Sequence, residues 1–233
     1  DDVGRRIQSR EFTAAGPAGR DRWSKGWGEH LASLRSSGDL SALAPAYIRP
    51  IPVVRLYGQY MIARDSRFEA HWFDVFQAWI FREFFKTAPS VYEFGCGSGI
   101  NLAALATIFP TKRYVGLDWV PESTAIVDEM ARRRGWMMTG RVFDFFHPDQ
   151  TVQIEDGAVV FTLGALEQTG REYGSFIDYI LQFKPALCVH VEPIVEWYGT
   201  SPADRAATDL HRARGYWSGF PARLRALCAD GRA

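Results

Sequence analysis

Between residues 91 and 194 the chain alternates between two kinds of segment. VYEFGCG (91–97), RYVGLDW (113–119), RVFDFF (141–146), AVVFTLGAL (158–166) and ALCVHVEPI (186–194) are short, nearly continuous apolar runs. Between them lie stretches with helical spacing: NLAALATIF (101–109), a segment from Pro121 to Gly135, and residues 171–184. Strands that are apolar on both sides are buried on both faces, and strands alternating with helices are joined by crossovers. The expected fold is therefore α/β, a doubly wound, mostly parallel sheet of five strands with helices on both faces. Pro121 suits a first helical turn, and Arg132, Arg133 and Arg134 lie near the negative pole of that helix. Residues 202–214 and 218–230 read as further helices.

The N-terminal part follows other rules. Residues 1–25 read as a loose arm and 28–47 as short helices, with Asp39 as a cap before Leu40 and Leu43. Residues 48–64 read as a connecting segment. Residues 66–88 carry Phe68, Trp72, Val75, Phe76, Trp79 and Ile80 at helical spacing, and Ser66 with Glu69 fits a capping box. The aromatic stripe is expected to be core packing. The division expected is an arm and cap over 1–65 and a core over 66–233.

Composition excludes several classes. Lys+Arg and Asp+Glu are both 27 in 233 residues, so a nucleic-acid partner held by bulk charge is disfavoured. The 23 arginines against 4 lysines read as codon bias. Three widely spaced cysteines without CxxC argue against a disulfide framework or a zinc site. No apolar run reaches the roughly 18 residues of a membrane span, and DDVGRRIQSREF lacks a signal-peptide core. A cytoplasmic location with no membrane partner is expected.

In a parallel sheet, ligands sit at the carboxyl ends of the strands. The first core strand ends there in Glu93-Phe94-Gly95-Cys96-Gly97-Ser98-Gly99. Glycines at this spacing let the backbone turn tightly and approach a ligand, and the helix that follows points free N–H groups at the same place. The second strand ends in Asp118, 23 residues after Gly95, where a carboxylate can accept from both hydroxyls of a ribose. Asp144, followed by Phe145, is expected at the end of the third strand, an acid and a ring suited to an adenine's amine and face. The dinucleotide pattern G-x-G-x-x-G asks for glycine at position 100, where this chain has Ile100.

The runs EFGCGSG, GLDW and FDFF, in this order, resemble the class I S-adenosyl-L-methionine-dependent methyltransferases over about residues 90–195. The resemblance implies a Rossmann-like fold and S-adenosyl-L-methionine as cofactor. It places Glu93, Gly95, Gly97 and Gly99 around the methionine part, with Cys96 and Asn101 in the same loop and first helical turn. It gives Asp118 the ribose, Trp119 the flank of the adenine, Asp144 and Phe145 its edge and face, and Leu163 the closing of the pocket. It also implies that the segment before the first core strand folds over the cofactor, so that Tyr57 and Tyr60 reach cofactor or substrate.

The acceptor side is less defined. Residues 162–169 (TLGALEQT) lack the D/N-P-P-Y that such enzymes use on adenine or cytosine amines. Glu167 lies beyond the fourth strand, and His190 and Glu192 share one side of the fifth. These three are the candidate acid–base residues; mutual pairing or pairing to an arginine is the structural alternative. The expected reaction is methyl transfer to the O, N or C of a small molecule, as in natural-product or sugar biosynthesis. Alternatives are a protein or RNA methyltransferase, a nicotinamide oxidoreductase, and a non-catalytic cofactor-binding partner subunit. After residue 195 only two helical segments are legible, where the family adds a sixth and a seventh strand. An exposed sheet edge, and with it a homodimer, is the expectation that follows.

Overall fold

The computed structural model describes residues 14–44, 53–65 and 67–232. The N-terminal part holds α1 (Arg20–Ser37), the hairpin β1 (Val53–Leu56) and β2 (Gln59–Ile62), and α2 (Phe68–Phe84). The core then runs β3 (Ser90–Phe94), α3 (Ile100–Ile108), β4 (Arg113–Asp118), α4 (Pro121–Arg134), β5 (Met138–Val142), β6 (Val159–Leu163), α5 (Gly174–Phe183) and β7 (Leu187–Val191). Helices α6 (Pro202–Ala213) and α7 (Phe220–Ala229) follow.

The five core strands form one parallel sheet in the order β5-β4-β3-β6-β7. The chain leaves β3 toward one edge and returns to add β6 and β7 on the other side, so the strand order reverses between β3 and β6. A crevice opens at such a switch point, outside the carboxyl ends of the strands. Residues of α1 to α4 pack on one face around Val91, Val159 and Phe161. Residues of α5 and α7, with Trp217, pack on the other face around Phe94, Val160 and Phe143. A doubly wound α/β architecture is thus what the alternating apolar runs require. No helix among the described residues is long and apolar enough to cross a membrane.

Several boundaries differ from the sequence expectation. The third core strand is Met138–Val142, where RVFDFF (141–146) was expected. Its register decides this: Asp118 pairs with Val142, and the next residue, Phe143, already donates its N–H to the Asp118 carbonyl at 2.8 Å. Phe143 and Phe145 then turn into an aromatic cluster with Phe94 and Phe176. Helix α1 begins at Arg20, inside the expected loose arm. The connecting segment contains a hairpin, turned at Tyr57 (φ 49°) and Gly58 (φ 76°), a pair of left-handed residues that suits a two-residue hairpin loop. The cap at Asp39 is present, its carboxylate accepting the Ser41 N–H at 2.9 Å.

Helix α2 is present but capped differently. Its N-cap is Arg67, with no side-chain cap, and Ser66 lies outside the described residues. The apolar stripe is core packing only in part. Ile80 and Phe81 are buried, Phe81 meeting Phe161 of β6 edge-on, while Trp72, Val75 and Trp79 are exposed. Apolar residues here ring most of the helix, and the sheet can cover one side only. Residues 1–13 of the expected arm, 45–47 of the expected short helices and 48–52 of the connecting segment lie outside the described residues.

Gly140 in β5 faces α4 so closely that a Cβ there would stand 2.2 Å from the Thr124 carbonyl oxygen. Backbone cannot yield to that contact as a flexible side chain would. Gly140→Ala is expected to destabilise the fold by about 3 kcal/mol, the upper part of the range for overpacking, measured as a lowered urea midpoint at unchanged slope.

Candidate functional site

Strand β3 runs straight into the glycine loop. Gly95, Gly97 and Gly99 have φ of 77°, 52° and 71°, in the left-handed region where glycine carries no penalty. Space makes the same demand. A Cβ on Gly95 would lie 2.2 Å from the Ala165 Cβ, and one on Gly97 would lie 2.9 Å from the Trp27 ring. The Gly95 and Cys96 N–H groups donate to the Leu117 carbonyl at 2.7 and 3.0 Å, which ties the loop to the end of β4. Helix α3 starts directly after the loop and aims its first N–H groups at the crevice.

Two buried acids flank this loop. Asp118 ends β4, and its carboxylate accepts the N–H of Gly97 at 2.9 Å and of Val120 at 3.1 Å. Burial pushes its pKa up to about 6, and the backbone donors pull against that rise. Glu93 is fully buried. One of its oxygens, Oε1, accepts from Asn101 Nδ2 at 2.6 Å, and the Asn101 carbonyl oxygen accepts in turn from Gln77 of α2. The other oxygen, Oε2, is buried without a partner. Burial drives the Glu93 carboxyl well above the usual range. Cys96 is buried, its Sγ 3.3 Å from Ser123 Oγ, and burial among acids raises its thiol far above neutrality. It is a small packed residue and is not poised as a nucleophile.

The adenine-side candidates separate. Trp119 is half-buried beside Phe146, with its carbonyl accepting from Arg20 at 3.1 Å. Phe145 lies against the loop, 3.7 Å from where a Gly95 Cβ would be. Asp144 lies two residues beyond β5, and its Oδ1 caps its own turn through the Phe146 N–H at 2.8 Å. It therefore does not end a strand, because β5 starts three residues earlier than RVFDFF suggests. Leu163 ends β6, half-buried against the α1–α4 side of the core.

Glu167, His190 and Glu192 come together at the carboxyl ends of β6 and β7. Glu192 accepts N–H groups from Ala165, Leu166 and Glu167 at 3.1, 3.2 and 3.4 Å, and so holds down the turn that packs on Gly95. Glu167 is buried with Oε2 unpartnered, and burial beside Glu192 raises it well above the carboxylate range. Glu192 is raised as well, by burial, while its donors oppose the rise. His190 shares a hydrogen bond with Thr162 at 2.9 Å and meets Phe220 edge-on, and burial lowers it to about 4. It is neutral at neutral pH. Glu192 is thus held by backbone N–H groups and shares a carboxyl–carboxyl hydrogen bond with Glu167, so the two acids pair with each other, which is the structural alternative.

The lid candidates are placed outside this group. Tyr57 stands at the hairpin tip, 95% exposed. The Tyr60 hydroxyl donates to Asp204 Oδ1 at 3.4 Å. The same carboxylate takes the Arg55 Nε at 3.1 Å, and Arg55 lies over the Tyr198 ring at 5.2 Å. This clasp joins the hairpin to α6 across 149 residues. No local pattern announces it, nor Gln77, nor the stacked Trp23–Trp27 pair of α1 that covers Gly97.

No family model matches the sequence, and no curated protein matches it. Among solved structures, the 16S rRNA methyltransferase RmtF in complex with S-adenosyl-L-homocysteine (SAH) matches at a TM-score of 0.48 and 18% identity, over 83% of this chain and 67% of that one. The plantazolicin methyltransferase BpumL, in complex with a monoazolic desmethylPZN analogue and SAH, matches at 0.44 and 13%, over 94% and 74%. The protein of "Conversion of a Disulfide Bond into a Thioacetal Group during Echinomycin Biosynthesis" matches at 0.39 and 19%, over 45% of this chain; the chain spans 41% of its length.

Removing the Glu192 carboxylate leaves three backbone donors of the 165–167 turn without their acceptor. Glu192→Ala is expected to cost about 3 kcal/mol of stability, and Glu192→Gln, which keeps one acceptor oxygen, about half of that. Urea unfolding of the two variants beside the wild type measures the difference.

Proposed function

We propose that this chain is a class I methyltransferase that uses S-adenosyl-L-methionine to methylate a small-molecule acceptor. The observation that carries this reading is the placement of two buried acids about one glycine loop, with one carboxylate oxygen left free. Glu93 Oε2, buried and unpartnered, suits a ligand ammonium group. Asp118, already fixed by the Gly97 and Val120 N–H groups, retains lone pairs for the two hydroxyls of a ribose. The first N–H groups of α3 suit a carboxylate. Trp119 and Phe145 supply flat faces near the loop. The residues present therefore fit this cofactor, which supplies an activated methyl group on a sulfonium centre.

In this reading, residues 66–233 form the core and 1–65 the cap, with α1 laid over the glycine loop. The acceptor side lies at the ends of β6 and β7. Glu192 is a positioning residue that sets the 165–167 turn through its three N–H donors. Glu167, whose basicity is raised by burial and by Glu192, is the member of the pair that takes a proton from an acceptor O–H or N–H once it is ionised. His190, held neutral by burial, orients Thr162 through their hydrogen bond. A small acceptor accords with zero formal net charge. We place the protein in the cytoplasm, in keeping with its three free cysteines.

Calorimetric titration with S-adenosyl-L-methionine and with SAH tests the cofactor site. Micromolar binding is expected, weakened by Asp118→Ala on the order of 100-fold or more, since two charge-assisted bonds are lost. No binding to the full chain overturns the reading. The pH dependence has a definite sign. Only ionised Asp118 accepts from hydroxyls without keeping a proton of its own, and its pKa is about 6. Cofactor affinity should rise as pH passes from 5 to 7, and Asp118→Asn should reduce that slope, the remainder belonging to Glu93, whose carboxyl burial also raises. Once an acceptor is found, Glu167→Gln should lower kcat by about 10²–10⁴-fold with cofactor affinity unchanged.

A further inference from the structure

Helix α2 is apolar on two opposite sides, and among the described residues only one of them is covered. Inward, Ile80 and Phe81 are buried against the sheet. Outward, Trp72 is 42% exposed, Val75 70% and Trp79 57%, with Phe76 stacked on Trp72 at 4.9 Å behind them. The preceding strand β2 adds Ile62, 78% exposed. A helix apolar all round is ordinarily buried all round.

We propose that this outward side of α2 is the contact surface of a homodimer, formed by two copies of α2 packed side by side about a two-fold axis. Area is the first argument. At about 150–250 Å² for a whole aromatic side chain, the exposed parts of these residues come to roughly 400 Å² in each copy. That equals the largest apolar patch of an ordinary monomer, which is often functional, and supplies about half of the roughly 800 Å² per partner of a stable interface, the rest falling to its polar margin.

Charge is the second argument, and it also sets the direction. At 3.6 residues per turn, Glu69 and Glu83 fall along one margin of the stripe, and His71 and Arg82 along the other. All four are exposed. Two copies lying parallel bring the acidic margin of one against the basic margin of the other. An antiparallel pair brings like against like, which costs energy on both sides. The parallel arrangement is therefore the one assigned. The surface is distinct from the sheet edge at β7, so an edge-paired dimer is a different structure with a different outcome below.

Sedimentation velocity of the full chain between 1 and 100 µM tests this. The wild type is expected to run as a dimer. Val75→Glu puts a charge in the middle of the stripe at a position with little burial to lose, and should weaken association about 100-fold or more with circular dichroism unchanged and the melting temperature no longer dependent on protein concentration. Glu83→Arg should weaken it about tenfold, and Arg82→Glu together with Glu83→Arg should restore it by exchanging the margins. A wild type monomeric throughout overturns the proposal. So does a dimer that Val75→Glu leaves intact, which locates the contact elsewhere. A dimer that Glu83→Arg alone strengthens overturns the parallel arrangement, because only in an antiparallel pair does that change relieve a like-charge contact.

Discussion

The carboxylate of Asp118, at the end of β4, accepts the N–H of Gly97 in the loop that follows β3. The rest of the candidate site depends on that bond. It spans 21 residues of sequence and joins two neighbouring strands at their carboxyl ends. It fixes the loop in which three glycines hold left-handed conformations, and the fixed loop sets where α3 starts. On either side the neighbours have closed in. Ala165 and the Trp27 ring approach so near that no Cβ fits at Gly95 or Gly97. The bond carries its own tension, because a buried carboxylate is costly unless it is hydrogen-bonded. Backbone donors and nearby Ser123 offset part of that cost, and burial still leaves the carboxyl raised, to about 6.

The carboxyl ends of β6 and β7 repeat the device. Glu192 gathers three backbone N–H groups of the turn after β6, as Asp118 gathers two near the end of β4. Each acid anchors the loop of its neighbouring strand. The sheet thus aligns five carboxyl ends, and buried acids on β4 and β7 fasten the loops that emerge there. Glu93 and Glu167 differ from those two. Glu93 is buried with one oxygen unpartnered, a feature that folding alone gives no reason to keep, whereas Glu167 is buried against Glu192 and shares a hydrogen bond with it.

Much of this was legible in the residues. The alternation of apolar runs and helical stretches announces five parallel strands, because strands covered on both faces must be apolar throughout. Glu93, the three glycines and Asp118 are legible as a unit because strand ends and turns leave local marks. Pro121 and Gly135 bracket α4 for the same reason, one preset for a first turn and the other free to adopt φ 67° at the last. Asp144 shows the limit. Its run of aromatic residues reads as strand, yet pairing with β4 begins at Met138, and the rings are drawn out of the sheet by the cluster around Phe94 and Phe176.

What the sequence alone determined is therefore the fold class, the five strands of the main sheet, the glycine loop and the two acids beside it, since each follows from local periodicity or from a residue's own backbone freedom. Only the tertiary structure decided which partners those groups meet. Gln77 reaches Asn101, Trp27 covers Gly97, and Arg55 clasps Asp204 across 149 residues. It also decided which side of α2 is covered and which is left to water. Such contacts join segments far apart in the chain, and no spacing within either segment encodes them; they exist only once the sheet has set the distances.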